Sequence, residues 1–239
     1  MLSRIQAETM LTLQAQMNAK INPDWINAAY PYLRAVVVEG AEAMEHRGWK
    51  WWKKQQCDLE QLQMELVDIW HFTLSHILLV NAGDHLLAMH ALLNSAVATT
   101  ITFDEKPWVI AELDLVSKLE LSIGLAVSRR ISIPLFNALL ADCNMDWQGL
   151  YCQYVGKNVL NFFRQDHGYK EGTYRKLWGG REDNEHLVEI MGSLSSEAGD
   201  FQHQLYTQLK LRYTSLSQKI WGRHNRSKTG VKKPPQISK

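Results

Sequence analysis

The sequence predicts an all-α protein, a helical bundle with a four-helix core and additional helices. Three observations carry this. Apolar residues recur at three- and four-residue spacing through most of the chain. No run alternates convincingly between apolar and polar residues, as a half-buried strand would. The periodic stretches are separated by Gly, Pro and Asn, the usual breakers of helices.

A first helix is predicted over 3–21, stopped by Asn22-Pro23. A second covers 31–46, with Pro31 in the first turn, where a missing N–H costs nothing, and Gly48 beyond its end. A third begins near Asp58, a plausible N-cap, and runs to about residue 81. After Gly83, DHLLAMHALLNSAV reads as a fourth. TTITFDEKPW (99–108) reads as a loop with weak strand character. Three more helices are predicted over 108–129, 133–144 and 146–165, and a long one over 184–221. The segment 163–184 has no regular period. The expected organisation is one catalytic domain, 1–222, followed by a basic, mobile tail, 223–239.

Bulk composition narrows the function. The chain has 239 residues, enough for a sizeable core. A net charge of +1 argues against a general attraction to nucleic acid. Three scattered cysteines suit neither a disulfide framework nor a zinc cluster, and fit a reducing, cytoplasmic setting. MLSRIQAETM lacks a signal-peptide core, and no apolar run approaches the ~20 residues of a membrane span. No GxxxxGK or GxGxxG loop occurs, so a phosphate site would need side chains or metal ions.

Two acidic spacings stand out. VVVEGAEAMEH sets Glu39, Glu42 and Glu45 three residues apart, and MELVDIWHF does the same for Glu65 and Asp68. Residues three apart on a helix lie about 60° apart, so each pair shares a face. Solvated surface acids are the bland reading, but Val36, Val38, Leu66, Val67, Ile69 and Phe72 leave little polar face. Two carboxylates ~5 Å apart repel by roughly 3 kcal/mol at an effective dielectric near 20. If the two pairs met across a bundle, a cation would offset that repulsion. Hard oxygens without nearby Cys favour Mg²⁺, with Mn²⁺ as a substitute. A di-iron centre would need ExxH twice. Asp68 to His71 is one approximate copy and no second exists, so His71 reads better as a core residue than as a ligand.

The pairs read ExxE, 22 residues, ExxD, the spacing of the all-α nucleoside triphosphate pyrophosphatases. Flanking sequence is more specific. GWKWWKK (48–54), ELVDIWHF (65–72), KNVLNFFRQDHGYKEGTYRKLWGGREDN (157–184) and LQAQMN (13–18) resemble the dimeric, all-α dUTP diphosphatases. The resemblance covers roughly 10–75 and 150–190, and residues 80–145 show none. His167 stands where many members carry a small amide.

The resemblance implies Mg²⁺-dependent hydrolysis of dUTP and dUDP to dUMP by a homodimer whose partner subunit helps complete the site. Glu39, Glu42, Glu65 and Asp68 would hold two or three Mg²⁺ ions. Glu42, with Glu39 behind it, would serve as the base for a metal-activated water. Lys157, Arg164, Tyr169 and Lys176 would hold the phosphates, and Asn161 the sugar or an adjacent phosphate. Lys157, Asn161 and Arg164 share a helix face by spacing alone. Arg can grip phosphate with two parallel bonds. Trp52 would stack on uracil, with Trp49 or Trp51 packing as structure. Gln14 and Asn18 would bond the base, and Asn184 the base or sugar. Glu45 falls outside the matched motif and reads as a surface acid.

Two other readings stay open at this level. One is a related pyrophosphatase with a broader nucleotide preference. The other is a non-enzymatic bundle that binds single-stranded nucleic acid through WKWWKK and the basic tail, which would leave the four acids unexplained.

Overall fold

The computed structural model describes residues 2–94, 98–194 and 200–228, with side chains described as far as Leu216. Helices make up 68% of it, with two short strand pairs, so the fold is all-α. The chain forms two compact units, Met1–Asn158 and Val159–Lys239.

The first unit is a helical bundle. α1 (Arg4–Ile21) starts at a capping box, in which Ser3 and Gln6 satisfy each other's backbone N–H. It buries Ala7, Met10, Leu11, Gln14, Met17 and Asn18, one face at helical spacing. A single-turn α2 (Trp25–Ala28) leads to α3 (Tyr32–Arg47). Pro31 is the N-cap of α3, and Gly48 ends it at φ 76°, a left-handed conformation suited to glycine. α4 (Leu59–Val80), capped by Asp58 accepting from the Gln61 N–H, is buried on most sides. Each fully buried apolar side chain, such as Leu62, Leu66, Leu74 and Leu78, contributes about 1.5–3 kcal/mol. α1 and α3 both pack on α4. α5 (His85–Leu93) packs on α1. α6 (Leu115–Val127) packs on α3 and on α7 (Ile133–Asp142). α8 (Trp147–Asp166) contains the unit boundary. Its Tyr154 hydroxyl bonds to the Met10 carbonyl of α1, 2.9 Å, and its Lys157 ion-pairs with Asp68 of α4.

Close approach of α3 and α6 depends on Gly40. A Cβ there would lie 2.7 Å from Ile123 Cγ1, which must shift to make room. We expect Gly40→Val to destabilise the protein by about 2 kcal/mol despite its better helix propensity, lowering Tm by roughly 4–8 °C. It should also reduce turnover, because Glu39 and Glu42 flank the displaced contact. Thermal melts and a rate assay check both.

The second unit holds the end of α8, a hairpin of β3 (Leu177–Trp178) and β4 (Arg181–Glu182), α9 (Asp183–Gly192) and α10 (Phe201–Lys228). Its core is aromatic. Fully buried Phe163 meets the rings of His167, Trp178, Tyr206 and Tyr213.

Prediction and structure differ in several places, α2 and the β3–β4 hairpin among them, since the sequence predicts neither. Residues 99–108 form an antiparallel hairpin, β1 (Thr100–Phe103) with β2 (Lys106–Val109), turned by Asp104 and Glu105 at φ 51° and 60°. α6 starts only at Leu115, because Asp114 caps it by accepting from the Ser117 N–H. The predicted helix over 184–221 is two helices. α9 stops at Gly192-Ser193, where poor helix formers meet and Ser193 Oγ donates to the Ile190 carbonyl. The α10 backbone continues to Lys228, and the rest of the expected tail, 229–239, lies outside the described residues.

The tryptophan count also finds its reason. Trp25, Trp70, Trp147 and Trp178 are buried, with Trp70 stacked on Phe136 at 4.9 Å. Trp49, Trp51 and Trp52 form a separate cluster in which Trp51 and Trp52 are exposed and Trp49 is half-buried.

Candidate active site

α3 and α4 bring the two acidic pairs together in the first unit. Glu39, Glu42 and Glu65 each offer an oxygen within 4.8 Å of the others. Glu65 is buried, Glu39 half-buried and Glu42 exposed. Burial pushes Glu39 up to about 8, helped by the charges of Asp68, Glu65 and Glu42. Glu65 rises to about 7 for the same reasons, burial first and then Asp68 and Glu42. The two carboxyls are hydrogen-bonded, Glu39 donating to Glu65. His46 Nε2 lies 3.5 Å from Glu65. Asp68 is not in the close trio. Its carboxylate is held by buried Lys157 at 3.0 Å. Lys157, expected from the resemblance to contact phosphate, is thus the counter-ion of an acid.

These residues fit a divalent cation. All donors are hard carboxylate oxygens, and three of them converge from two helices. Burial and the neighbouring carboxylates push Glu39 and Glu65 up, a cost that a bound cation would offset. Glu39, Glu42 and Glu65 could hold a metal, with Asp68 joining on release from Lys157.

A buried polar network lies on α1, α4 and α8. Gln14 Nε2 donates to Ser75 Oγ, 2.8 Å, and to Asn18 Oδ1, 3.2 Å. Gln14 Oε1 lies 2.9 Å from the Tyr154 hydroxyl, which shares its one proton between this oxygen and the Met10 carbonyl, and 2.8 Å from His71 Nδ1. Since Oε1 can only accept, His71 carries its proton on Nδ1, and Nε2 is an acceptor. Burial lowers the His71 pKa to about 4, so the ring is neutral. Three side chains keep unpartnered buried atoms: Asn18 Nδ2, His71 Nε2, and both amide atoms of Asn158. The Asn158 amide lies close enough to the Tyr154 hydroxyl to work against the effect of burial on it, but completes no well-aligned hydrogen bond. A protein interior seldom leaves such atoms unsatisfied unless a ligand, water or ion serves them. Gln14 and Asn18 are the two members of this network that the resemblance singles out. Ser75, Tyr154 and Asn158 are not singled out, since each reads as ordinary helix filling.

Trp52 is 59% exposed, a face open to stacking, while Trp51 is more exposed still at 85%. Trp49 is the packed member, its indole N–H donating to Glu45 at 2.8 Å. Glu45 stays outside the acidic trio and pairs with Lys50 at 2.6 Å.

In the second unit, most of the residues expected to hold phosphate or sugar meet around one guanidinium. Arg164 Nε and Nη2 donate to the two oxygens of Asp183, each at 2.8 Å. Nη1 donates to Asn161 Oδ1 at 3.0 Å, and Nη2 also to Asn184 Oδ1 at 3.3 Å. The Tyr169 ring lies 6.0 Å from the guanidinium carbon. The Tyr174 hydroxyl donates to Asp183 Oδ2 at 2.7 Å. Asp183 is fully buried, which would raise its pKa, but the bonds and charge of Arg164 together with Tyr174 hold it below the usual range. Its position in the first turn of α9 also favours a negative charge. Lys176 is exposed, pairs with Glu182 at 3.3 Å, and accepts the Asp183 N–H through its carbonyl at 3.0 Å. The two-pronged edge of Arg164 is therefore engaged by Asp183.

The fold and site define a class no finer than an all-α bundle with a carboxylate cluster, suited to a divalent cation, across two of its helices. The particular family follows from comparison. Residues 6–169 match the family described as dUTPase, and the chain belongs to that family, the dimeric all-α dUTPases. Membership implies a hydrolase acting on dUTP, and the family generally uses a divalent metal. The match covers the acids, Lys157, Arg164 and Tyr169, and stops short of Lys176 and Asn184. No curated protein is detectably similar. Among the described residues no helix is long and apolar enough to cross a membrane.

Proposed function

We propose that this protein hydrolyses dUTP, and dUDP, to dUMP in a Mg²⁺-dependent reaction. It would thereby remove dUTP from DNA precursors and supply dUMP for thymidylate synthesis. The carboxylate cluster of a dUTPase-family chain carries the reading. Glu39, Glu42, Glu65 and Asp68 would hold Mg²⁺, two or three ions in the family pattern, with Mn²⁺ as a substitute. When bound, the cation would neutralise phosphate oxygens and lower the pKa of the attacking water. We assign proton acceptance to a Glu42 carboxylate oxygen, with Glu39 next. Glu42 is exposed, whereas Glu39 and Glu65 share a hydrogen bond with each other. Lys157, Arg164, Tyr169 and Lys176 are the proposed phosphate contacts, and Asn161 and Asn184 the sugar-side contacts. Homodimeric assembly and a cytoplasmic location belong to the same proposal.

Base recognition is supported by the polarity of the unpartnered atoms. Asn18 Nδ2 is a donor, His71 Nε2 an acceptor, and Asn158 can be either. Uracil offers an N–H between two carbonyls, which suits donors flanking an acceptor. Cytosine inverts part of that pattern and would leave buried groups unpaired. Trp52 is the proposed stacking partner.

The test is Mg²⁺-dependent hydrolysis of a panel of dNTPs and dNDPs with product identification. dUTP should yield dUMP and pyrophosphate, and dUDP should yield dUMP and phosphate. dCTP should react slower by about 10²-fold or more. Equal rates for dCTP or dTTP would remove the uracil assignment and favour a general nucleotide pyrophosphatase.

A further inference from the structure

We propose that Asp183 is a positioning residue that orients the Arg164 guanidinium and limits it to a single contact with the nucleotide phosphates. The inference rests on the phosphate role given to Arg164 above. A guanidinium has five N–H groups. Two are taken by Asp183, one by Asn161 and one by Asn184, which leaves one N–H on Nη1. The bidentate edge, Nε with Nη2, faces a carboxylate with no exposed surface. That carboxylate is itself fixed by the Tyr174 hydroxyl and by its place in the first turn of α9. An entering phosphate would therefore have to break a buried ion pair to use this edge, whereas the remaining Nη1 N–H needs no rearrangement.

This arrangement holds a long, flexible side chain in one orientation before substrate arrives, so little rotamer freedom is lost on binding. Asp183 acts through Arg164 and contacts no substrate atom. Tyr174 supports it in turn, and the Asp183 N–H bond to the Lys176 carbonyl ties the same clamp to the β3 segment.

The test is a double-mutant cycle on the full-length protein, with dUTP and Mg²⁺, using Arg164→Ala, Asp183→Asn and both together. Asp183→Asn keeps the side chain's shape but replaces one acceptor oxygen with an NH₂ that opposes the guanidinium donors. Its KM should rise about tenfold or more, with kcat changed less than about threefold. In the Arg164→Ala background the same substitution should move KM by less than about twofold, because its effect passes through Arg164. Tyr174→Phe leaves the ion pair intact and should raise KM about twofold to fivefold, so it serves if Asp183→Asn fails to fold. An unchanged KM in the variants, or an equal rise in both Arg164 backgrounds, overturns the positioning role while the dUTPase reading stands. Absence of dUTP hydrolysis by the wild type overturns that reading, and this inference with it.

Discussion

Glu65→Gln should abolish turnover, by about 10³-fold or more, and leave the helical circular dichroism spectrum unchanged. Glu65 is the buried member of the trio and hydrogen-bonds to Glu39. Glutamine keeps its size and one acceptor oxygen but loses the negative charge that a divalent cation requires. A 10³-fold loss corresponds to about 4 kcal/mol of transition-state stabilisation, within the range for a lost metal ligand. Stability should move the other way. At pH 8 Glu65 lies above its folded-state pKa of about 7, so its charge is held in surroundings that disfavour it. The neutral amide removes that cost, and metal-free Glu65→Gln should melt no lower than metal-free wild type. Activity above one tenth of wild type would take Glu65 out of the metal set.

The sequence made the acidic half of the candidate site legible because the information there is local. A three-residue spacing on a helix decides which face two acids share, and the apolar residues around Glu65 and Asp68 point that face inward. The meeting of α3 with α4 follows from two consecutive helices, of which α4 is apolar enough to be buried on most sides. Ion pairing was not legible, because partners are far apart in sequence. Lys157 reads as a basic residue near a phosphate motif, yet its nearest charge is Asp68 on another helix. Arg164 reads as a phosphate contact, yet Asp183, nineteen positions later, takes its bidentate edge. GGREDN contains Asp183 in plain view, and a helix is predicted from residue 184, but nothing in the residues says that its first carboxylate turns onto Arg164. Breaks inside long periodic stretches were missed for a related reason. Gly192-Ser193 stops a helix only weakly by propensity, and tertiary packing decides such cases.

His71 shows a different limit. Its spacing from Asp68 favours a core residue over a metal ligand and says nothing of which ring nitrogen is protonated. Only the network settles the tautomer: Gln14 Oε1 has no proton to donate, so His71 Nδ1 is the donor and Nε2 a bare acceptor. The histidine is three residues from Asp68, yet its role is set by α1 and α8.

Metal-free protein should lose stability as pH rises from about 5 to 8, and saturating Mg²⁺ should reverse the loss. The sign follows from the direction of the two shifts. Glu39 and Glu65 have folded-state values of about 8 and about 7, both raised from 4.5. Below pH 4.5 both states hold these protons and neither group affects stability. Between 4.5 and 8 the unfolded chain releases them while the folded chain retains them, so the folded state binds more protons and its stability falls with pH. Above pH 8 the full repulsion is present. Because the cluster is partly exposed and its two members share a proton, screening reduces the total to about 3 kcal/mol, or roughly 6–12 °C in Tm. A cation that binds only the ionised, folded cluster adds stability as RT ln(1 + [L]/Kd), and its effect must grow over the pH range where the apo protein weakens. Melts at pH 5.5, 7 and 8.5, with chelator and with Mg²⁺, measure both slopes. A flat apo profile, or a Mg²⁺ increment that does not grow with pH, would mean that Glu39 and Glu65 are not the cation's ligands. Glu65→Gln supplies the control, since it should flatten part of the apo slope and remove most of the Mg²⁺ increment.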